Sequence, residues 1–339
     1  MTFNEVCKKA ITLTEKEADA SGARVLAEYE SALAEMDTAL KDLYARLAGV
    51  DPIDYYAEAA KYGRLTGLID QLQAQYLAMA KKVGVATKLA AERAINNSYY
   101  RNTYALNWAA PKRVFAILDP NVVGLSVYGT QDYWDAIKDT KTFGPAVNYT
   151  PKSGTLLEQL LVKRNPAVLA SIETTVRAGL MRGDSYVKVA KAIQVVMETD
   201  AASALRIAQT ETHRNMMAGQ YAAEKAAQAK GVKARRMWVA SLDDKTRQTH
   251  ASLDGKYEDD DGYFHSGGYK AIAPGHFGVA SLDINCRCSA VLVVEDTPPE
   301  LRRGRDPATG KTDIISWTSF DQWAKDNGMV WRKGKLVKA

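Results

Sequence analysis

All four histidines of the 339-residue chain, His213, His250, His265 and His276, fall between residues 213 and 288, together with two of its three cysteines, Cys286 and Cys288. Residue types that ligate transition metals, gathered in less than a quarter of the chain, point to one shared site. Cys286 and Cys288 are its sharpest element. In an extended strand, residues two apart project to one face with Cα atoms about 6.5–7 Å apart, and Arg287 between them points away. That separation sits at the upper edge of disulfide geometry and suits two thiolates converging on one ion. His250 would add an imidazole, and His265, His276 or Asp243 a fourth ligand, to make a tetrahedral zinc site. The spacing is not that of a standard zinc finger. Two small buried cysteines among surface histidines, or a redox-active or nucleophilic thiol, remain open readings of the same residues.

The run Asp243-Asp244-Lys245-Thr246-Arg247-Gln248-Thr249-His250 has its own logic. On a helix, steps of four and three set Asp243, Arg247 and His250 on one face. A carboxylate, a guanidinium and an imidazole there can hold a phosphate or move protons. The same trio more often forms a hydrogen-bonded network that pins a loop, and this structural role is favoured because neither nucleophile nor partner base is evident. Arg206 and Glu211 on the preceding helix are candidates to join it. The sequence lacks a Gly-x-x-x-x-Gly-Lys-Ser/Thr loop, a Gly-x-Ser-x-Gly elbow and a His-Glu-x-x-His pair, which argues against a nucleotide-driven motor or a common hydrolase. The catalytic alternative is a metal-dependent hydrolase or nuclease built on Asp243, Arg247, His250, Cys286 and Cys288.

Those residues need elements to carry them. Leu26, Tyr29, Leu33, Met36, Leu40, Leu43 and Leu47 recur at alternating three- and four-residue steps, one stripe of a helix that Gly49 and Asp51-Pro52 stop. Leu65, Ile69, Leu72, Tyr76, Met79 and Val83 repeat the pattern, so residues 1–110 read as an antiparallel helical hairpin, a domain whose stripe could also dock on a partner protein. Residues 111–155, punctuated by Pro111, Asp119-Pro120, Gly124, Gly129, Gly144-Pro145 and Pro151, read as an irregular connector. Helical spacing returns at Leu156. Ile172, Val176 and Leu180 line one helix ending at Gly183, and Asp184 or Ser185 caps a second with Val189, Ile193 and Val196. A third starts near Thr199-Asp200 and runs through Leu205, Ala208, Thr212 and Met216 to Gly231.

Beyond Gly231 the texture changes. Arg236–Ala240 and Ala290–Val294 look like strands, Asp243-Asp244 like the cap of a short helix through Arg247 and His250, and Asp254-Gly255 like a turn. Residues 296–339 form an aromatic and basic tail, in which Trp317, Phe320, Trp323 and Trp331 argue against disorder. The expected fold class is α+β, mostly α: a long N-terminal helical hairpin or bundle, then a small α+β domain with a short β-sheet over residues 156–295.

Composition bounds the rest. With 46% hydrophobic and 25% charged residues the chain is ordinary globular material for two or three folding units. Mean hydropathy is −0.29, and the run Ala290–Val294 is far short of the ~20 apolar residues of a membrane span, so no integral membrane protein is expected. The first six residues do not read as a secretory leader, and three cysteines cannot build a disulfide framework, which fits folding in a reducing cytoplasm. A net charge of +5 permits nucleic-acid contact without predicting it. Lys233, Arg235 and Arg236, with Arg332, Lys333, Lys335 and Lys338, are the candidate DNA contacts, and a solvated face is the plainer reading of each group.

The stretch from Arg206 to Cys288 resembles the head-morphogenesis proteins of tailed bacteriophages, the Mu F-like and SPP1 minor head protein family. The resemblance is carried, in order, by Arg206-Ile207-Ala208-Gln209-Thr210-Glu211, Arg214-Asn215, Trp238, Asp243 with Thr246-Arg247 and His250, Leu253-Asp254-Gly255, Pro274-Gly275 and Asn285-Cys286-Arg287-Cys288. With the upstream helices around Gly183-Asp184-Ser185 it covers about residues 155–295. It implies a minor capsid component present in few copies, associated with the portal and the capsid interior. Its expected partners are the portal protein, a major capsid or scaffolding protein, and packaged double-stranded DNA, with no membrane. It would act in head assembly and in DNA packaging or delivery, within the virion and, during assembly, the host cytoplasm. The family's polar motif falls here on Glu211, Asp243, Arg247, His250, Asn285, Cys286 and Cys288, and metal binding is compatible with it. Some relatives carry an added toxin or enzymatic domain. The roughly forty residues that follow the family segment are too few for one, which implies a structural protein rather than an enzyme.

Overall fold

The computed structural model describes residues 3–109, 161–294 and 297–339, with side chains from residue 19 onward except at 104 and 107–109. The expected connector over 111–155 and the helix start at Leu156 lie outside the described residues. Helices dominate the first part: α1 (Phe3–Arg46), α2 (Tyr55–Ala60), α3 (Arg64–Ala109), α4 (Asn165–Met181) and α5 (Tyr186–Gln228). A mixed region follows, with β1 (Ala234–Val239), α6 (Gln248–Ala251), β2 (Phe264–Ser266), β3 (Tyr269–Ala271), α7 (Ala280–Asp283), β4 (Ser289–Val294), β5 (Leu301–Arg305), β6 (Thr312–Ser316), α8 (Phe320–Asp326), β7 (Met329–Arg332) and β8 (Lys335–Lys338). The class is mostly α with some β, as expected.

The described residues fall into two compact units, one of residues 19–90 and 161–209 and the other of residues 3–18, 91–109 and 210–339. The two units interleave in sequence. The reason is helix length. α1, α3 and α5 have 44, 46 and 43 residues, about 65 Å each at 1.5 Å per residue, too long for one small core.

The first unit is helical. Tyr29, Met36, Leu40, Leu43 and Leu47 of α1 are buried with Leu65, Ile69, Leu72, Tyr76, Met79 and Val83 of α3, alongside Ile172, Val176 and Leu180 of α4. Leu26 is 41% exposed and Val25 takes the buried position instead. Gly183 closes α4 at φ +67, and a Cβ there would lie 2.8 Å from the Pro52 carbonyl oxygen, so the turn requires glycine twice over. The helix boundary expected at Thr199-Asp200 does not exist, because α5 runs through it. Asp200 is an interior acceptor: its carboxylate takes the hydroxyls of Tyr29 and Tyr76 and pairs with Arg164 at 3.2 Å.

In the second unit, the late turns of α3 and α5 pack on the strands. Leu106, Ala223 and Ala227 bury against Val232, Ala234 and Val294. β1 and β4 pair antiparallel with Trp238 opposite Ala290, and three further hairpins, β2–β3, β5–β6 and β7–β8, are each two-stranded. One core joins Trp238, Phe264, Phe277, Cys286 and Cys288 to Phe320, Trp323, Met329 and Leu336. The residues read as a C-terminal tail are thus part of this core. Burying their aromatic rings removes a large apolar area from water, at about 25 cal/mol per Å².

Candidate metal centre

α6 is a four-residue helix whose cap, Arg247, has extended backbone angles (φ −67°, ψ 144°). Its third residue, His250, is 1% exposed and packs edge-on to Trp238 at 5.4 Å between ring centroids. Cys286 and Cys288 are 4% and 2% exposed and lie in the segment just before β4, not in the strand itself. Asn285 just before them sits at φ +56, a left-handed conformation that asparagine tolerates better than most residues. Its backbone N–H donates to Thr210 Oγ1 of α5 at 3.3 Å.

This backbone path aims both sulfurs at one imidazole nitrogen. His250 Nδ1 lies 3.7 Å from Cys286 Sγ and 3.5 Å from Cys288 Sγ, and all three atoms fall within 4.8 Å of one another. A tetrahedral zinc ion with ordinary Zn–S and Zn–N bonds separates a sulfur from a nitrogen ligand by about 3.6 Å, so the donor set fits such an ion. Among the described residues, no other His, Cys, Asp and Glu side chains gather three at a time in this way. Hydrogen bonding between the two sulfurs lowers the Cys286 thiol and raises Cys288 well above its ordinary value, with burial adding to the rise.

None of the three expected fourth ligands joins the trio. His265 is exposed on β2 and pairs with Asp259. His276 is buried with Nδ1 3.1 Å from the Pro274 carbonyl oxygen. Asp243 is held elsewhere: Arg287 Nε donates to Oδ2 at 3.0 Å and Nη2 to Oδ1 at 2.8 Å. His213 on α5, which spacing alone does not single out from the other histidines, comes close to the cysteine segment instead. Its ring hydrogen-bonds the Cys288 backbone, its Nε2 is buried without a hydrogen-bond partner, and burial lowers its pKa to about 4, leaving it neutral at pH 7.

Nor do Asp243, Arg247 and His250 share a helical face, because Asp243 lies in a turn before α6. Its Oδ1 accepts from Lys245 N at 2.9 Å and from Thr246 Oγ1 at 3.2 Å, the local side-chain bonding by which aspartate competes with helix. Arg247 Nη2 donates to the Ile284 carbonyl at 2.6 Å. Glu211 pairs with Arg214 at 2.6 Å, and Arg206 is exposed, so neither joins Asp243. Of the candidate DNA contacts, Lys233, Arg235, Arg332, Lys333, Lys335 and Lys338 are exposed. Arg236 is not available: it is 1% exposed, pairs with Glu224 at 2.6 Å and donates to the Gly262 carbonyl at 2.9 Å. Period-two alternation along β1 explains the difference between these neighbours.

Asp254, Asp283 and Arg302 organise the site's surroundings, and their roles are not evident from sequence. Asp283 accepts the backbone N–H groups of Phe277 at 2.8 Å and Gly278 at 2.7 Å, which fixes the loop beside His276. The Leu253-Asp254-Gly255 motif is a signal for Asp254. Arg302 has none, sitting in a run of arginines that reads as surface.

The family described as Phage Mu protein F like protein matches residues 170–291. The chain is 30% identical over 272 residues to the minor head protein GP7 of Bacillus phage SPP1, covering 80% of this chain and 81% of that protein. It is also 34% identical over 176 residues to the NAD(+)–arginine ADP-ribosyltransferase EFV of Enterococcus faecalis, which is 52% of this chain and 35% of that protein. The chain thus spans about a third of the length of that relative. No solved structure matches it significantly. The motif residues that organise the Cys286–Cys288 loop lie within or beside the matched family segment, and the likeness to GP7 runs through four fifths of both chains: the chain belongs to the Mu F-like family of phage minor head proteins.

Proposed function

We propose that this chain is a structural component of a phage head that sits at the portal on the capsid interior and acts in head assembly and in DNA packaging or delivery. The observation that carries the reading is the likeness to a minor head protein over 81% of that protein's length. The geometry supports a structural role. The polar motif groups are spent on the fold: Asp243 on Arg287, Arg247 on the Ile284 carbonyl and Glu211 on Arg214. The activity named for the ADP-ribosyltransferase belongs to that protein. The exposed bases Lys233, Arg235, Arg332, Lys333, Lys335 and Lys338 are the groups through which packaged DNA would be met, as screened phosphate contacts.

The test is head assembly from the capsid, scaffold and portal proteins of the parent phage, with this chain tagged and the portal gene present or deleted. The chain is expected in heads that contain portal and to be depleted from heads that lack it. Equal incorporation with and without portal would sink the portal placement, and complete absence from heads would sink the reading as a head protein.

A further inference from the structure

We propose that Cys286 Sγ, Cys288 Sγ and His250 Nδ1 bind one zinc ion, which ties α6 to the start of β4. The first argument is distance. The two nitrogen–sulfur separations, 3.7 and 3.5 Å, bracket the value that bonds of ordinary length to one tetrahedral ion impose. The two sulfurs lie within 4.8 Å of each other, so all three donors already face one point.

The second argument is how the donors are held. Arg287, between the cysteines, is turned away to grip Asp243, and Asn285 before them is fixed in a left-handed conformation. Both constraints keep the two sulfurs on one side of the backbone. The imidazole is clamped by Trp238 at 5.4 Å and Phe277 at 5.9 Å. Ligands prearranged in this way lose little conformational freedom when an ion arrives.

The third argument is chemistry. Two thiols and an imidazole, each at least 96% buried, are a soft donor set that favours zinc over magnesium or calcium, which take oxygen ligands. Binding replaces two thiol protons with one dication, and the protons leave to solvent. Two cysteines and one histidine fill three tetrahedral positions, and a donor outside the trio completes the fourth. The ion would close the long excursion between β1 and β4 in a domain that has no disulfide among its described cysteines. An ion that binds this folded site and not the unfolded chain adds its binding free energy to folding. This inference rests on the site alone and holds whether or not the chain sits at the portal.

The experiment uses the untagged full-length chain, purified anaerobically and dialysed against metal-free buffer, with metal measured by mass spectrometry. About one zinc per chain is expected, falling at least tenfold in C286S/C288S. Because that variant can lose its fold, cobalt(II) is exchanged into the wild type as well. Thiolate-to-cobalt charge-transfer bands with intense visible bands of tetrahedral cobalt are expected, and a His250→Gln protein with native circular dichroism should show them altered or lost. Wild type that takes up neither zinc nor cobalt while both thiols titrate as free would overturn the proposal. So would full zinc occupancy in natively folded C286S/C288S.

Discussion

Asp254 and Arg302, 48 residues apart, form a two-pronged ion pair in the interior, with Arg302 Nη1 and Nη2 each 2.9 Å from a carboxylate oxygen of Asp254. Their side chains are 5% and 1% exposed. Asp254 also accepts the backbone N–H groups of Ala240 at 2.8 Å and Phe320 at 2.7 Å, and Arg302 donates to the carbonyls of Ala240 and Thr318 at 2.6 Å each. One node therefore joins the end of β1, the turn after α6, strand β5 and the start of α8. It makes residues 301–339 part of the domain that carries the cysteines.

Removing one partner leaves the other charged, buried and short of bonds, which typically costs 3–5 kcal/mol. Asp254→Ala and Arg302→Ala are each expected to lower unfolding free energy by about 3 kcal/mol or more. The double variant should cost less than the sum of the two, since it leaves no orphaned charge. Urea denaturation of the three variants measures this. Additive losses, or single losses below about 1 kcal/mol, would mean that water reaches the node and the C-terminal segment is loosely attached.

The structure makes opposite predictions for two helical glycines. A Cβ on Gly219 of α5 would lie 2.1 Å from the Ile95 carbonyl oxygen of α3, and Ser98 Oγ donates to the Met216 carbonyl at 2.5 Å across the same crossing. The two backbones approach as closely as glycine allows. Among the described residues, nothing outside its own helix lies within 4 Å of the Cβ position of Gly84 on α3. Alanine is the better helix former by about 1 kcal/mol, so Gly84→Ala should raise stability by up to that amount. Gly219→Ala should instead lower it by roughly 2 kcal/mol or more, because a main-chain oxygen cannot swing aside. Thermal unfolding of the pair is the check, and a stabilised Gly219→Ala protein would show that α3 and α5 are farther apart.

The residues that can be read ahead of the structure are those whose role is local or periodic. The two stripes of the hairpin, Tyr29 to Leu47 and Leu65 to Val83, need only a 3.6-residue period, which is why Met36, Leu40, Leu72 and Tyr76 emerge as core. Cys286, Cys288 and His250 are legible as neighbours because rare residue types concentrate in one short stretch of the chain, and the structure brings their donor atoms within 4.8 Å of one another. Asp200 reads as a helix start because aspartate favours caps, yet its partners Tyr29 and Tyr76 lie 171 and 124 residues away. Asp243 reads as helical for the same reason in reverse: its local turn bonds compete with helix at a range the 3.6 period does not register. Arg236 and Arg302 look like surface charges until Glu224 and Asp254 are known to face them, and nothing in the spacing connects those pairs.

The Glu224–Arg236 pair gives stability a pH dependence of definite sign. Glu224 is fully buried, and burial lifts its carboxyl from the ordinary 4.5 to about 7 even though Arg236 Nε lies 2.6 Å away and pulls it down. Taking a carboxylate out of water outweighs the attraction of its partner. An acid raised by folding holds its proton more tightly in the folded chain than in the unfolded one. Its contribution therefore favours the folded state fully below the unfolded value near 4.5 and is lost as pH climbs through about 7. Glu224→Gln keeps a side-chain oxygen to accept from Gln228 Nε2, a bond of 2.9 Å in the wild type, and cannot titrate. The variant sets the reference: wild-type stability minus variant stability should fall steadily between pH 4.5 and 7, then level off. Chemical denaturation at half-unit intervals, with circular dichroism to follow the helices, measures the difference directly. If it is flat across that window, Glu224 is ionised throughout and the guanidinium of Arg236 outweighs burial.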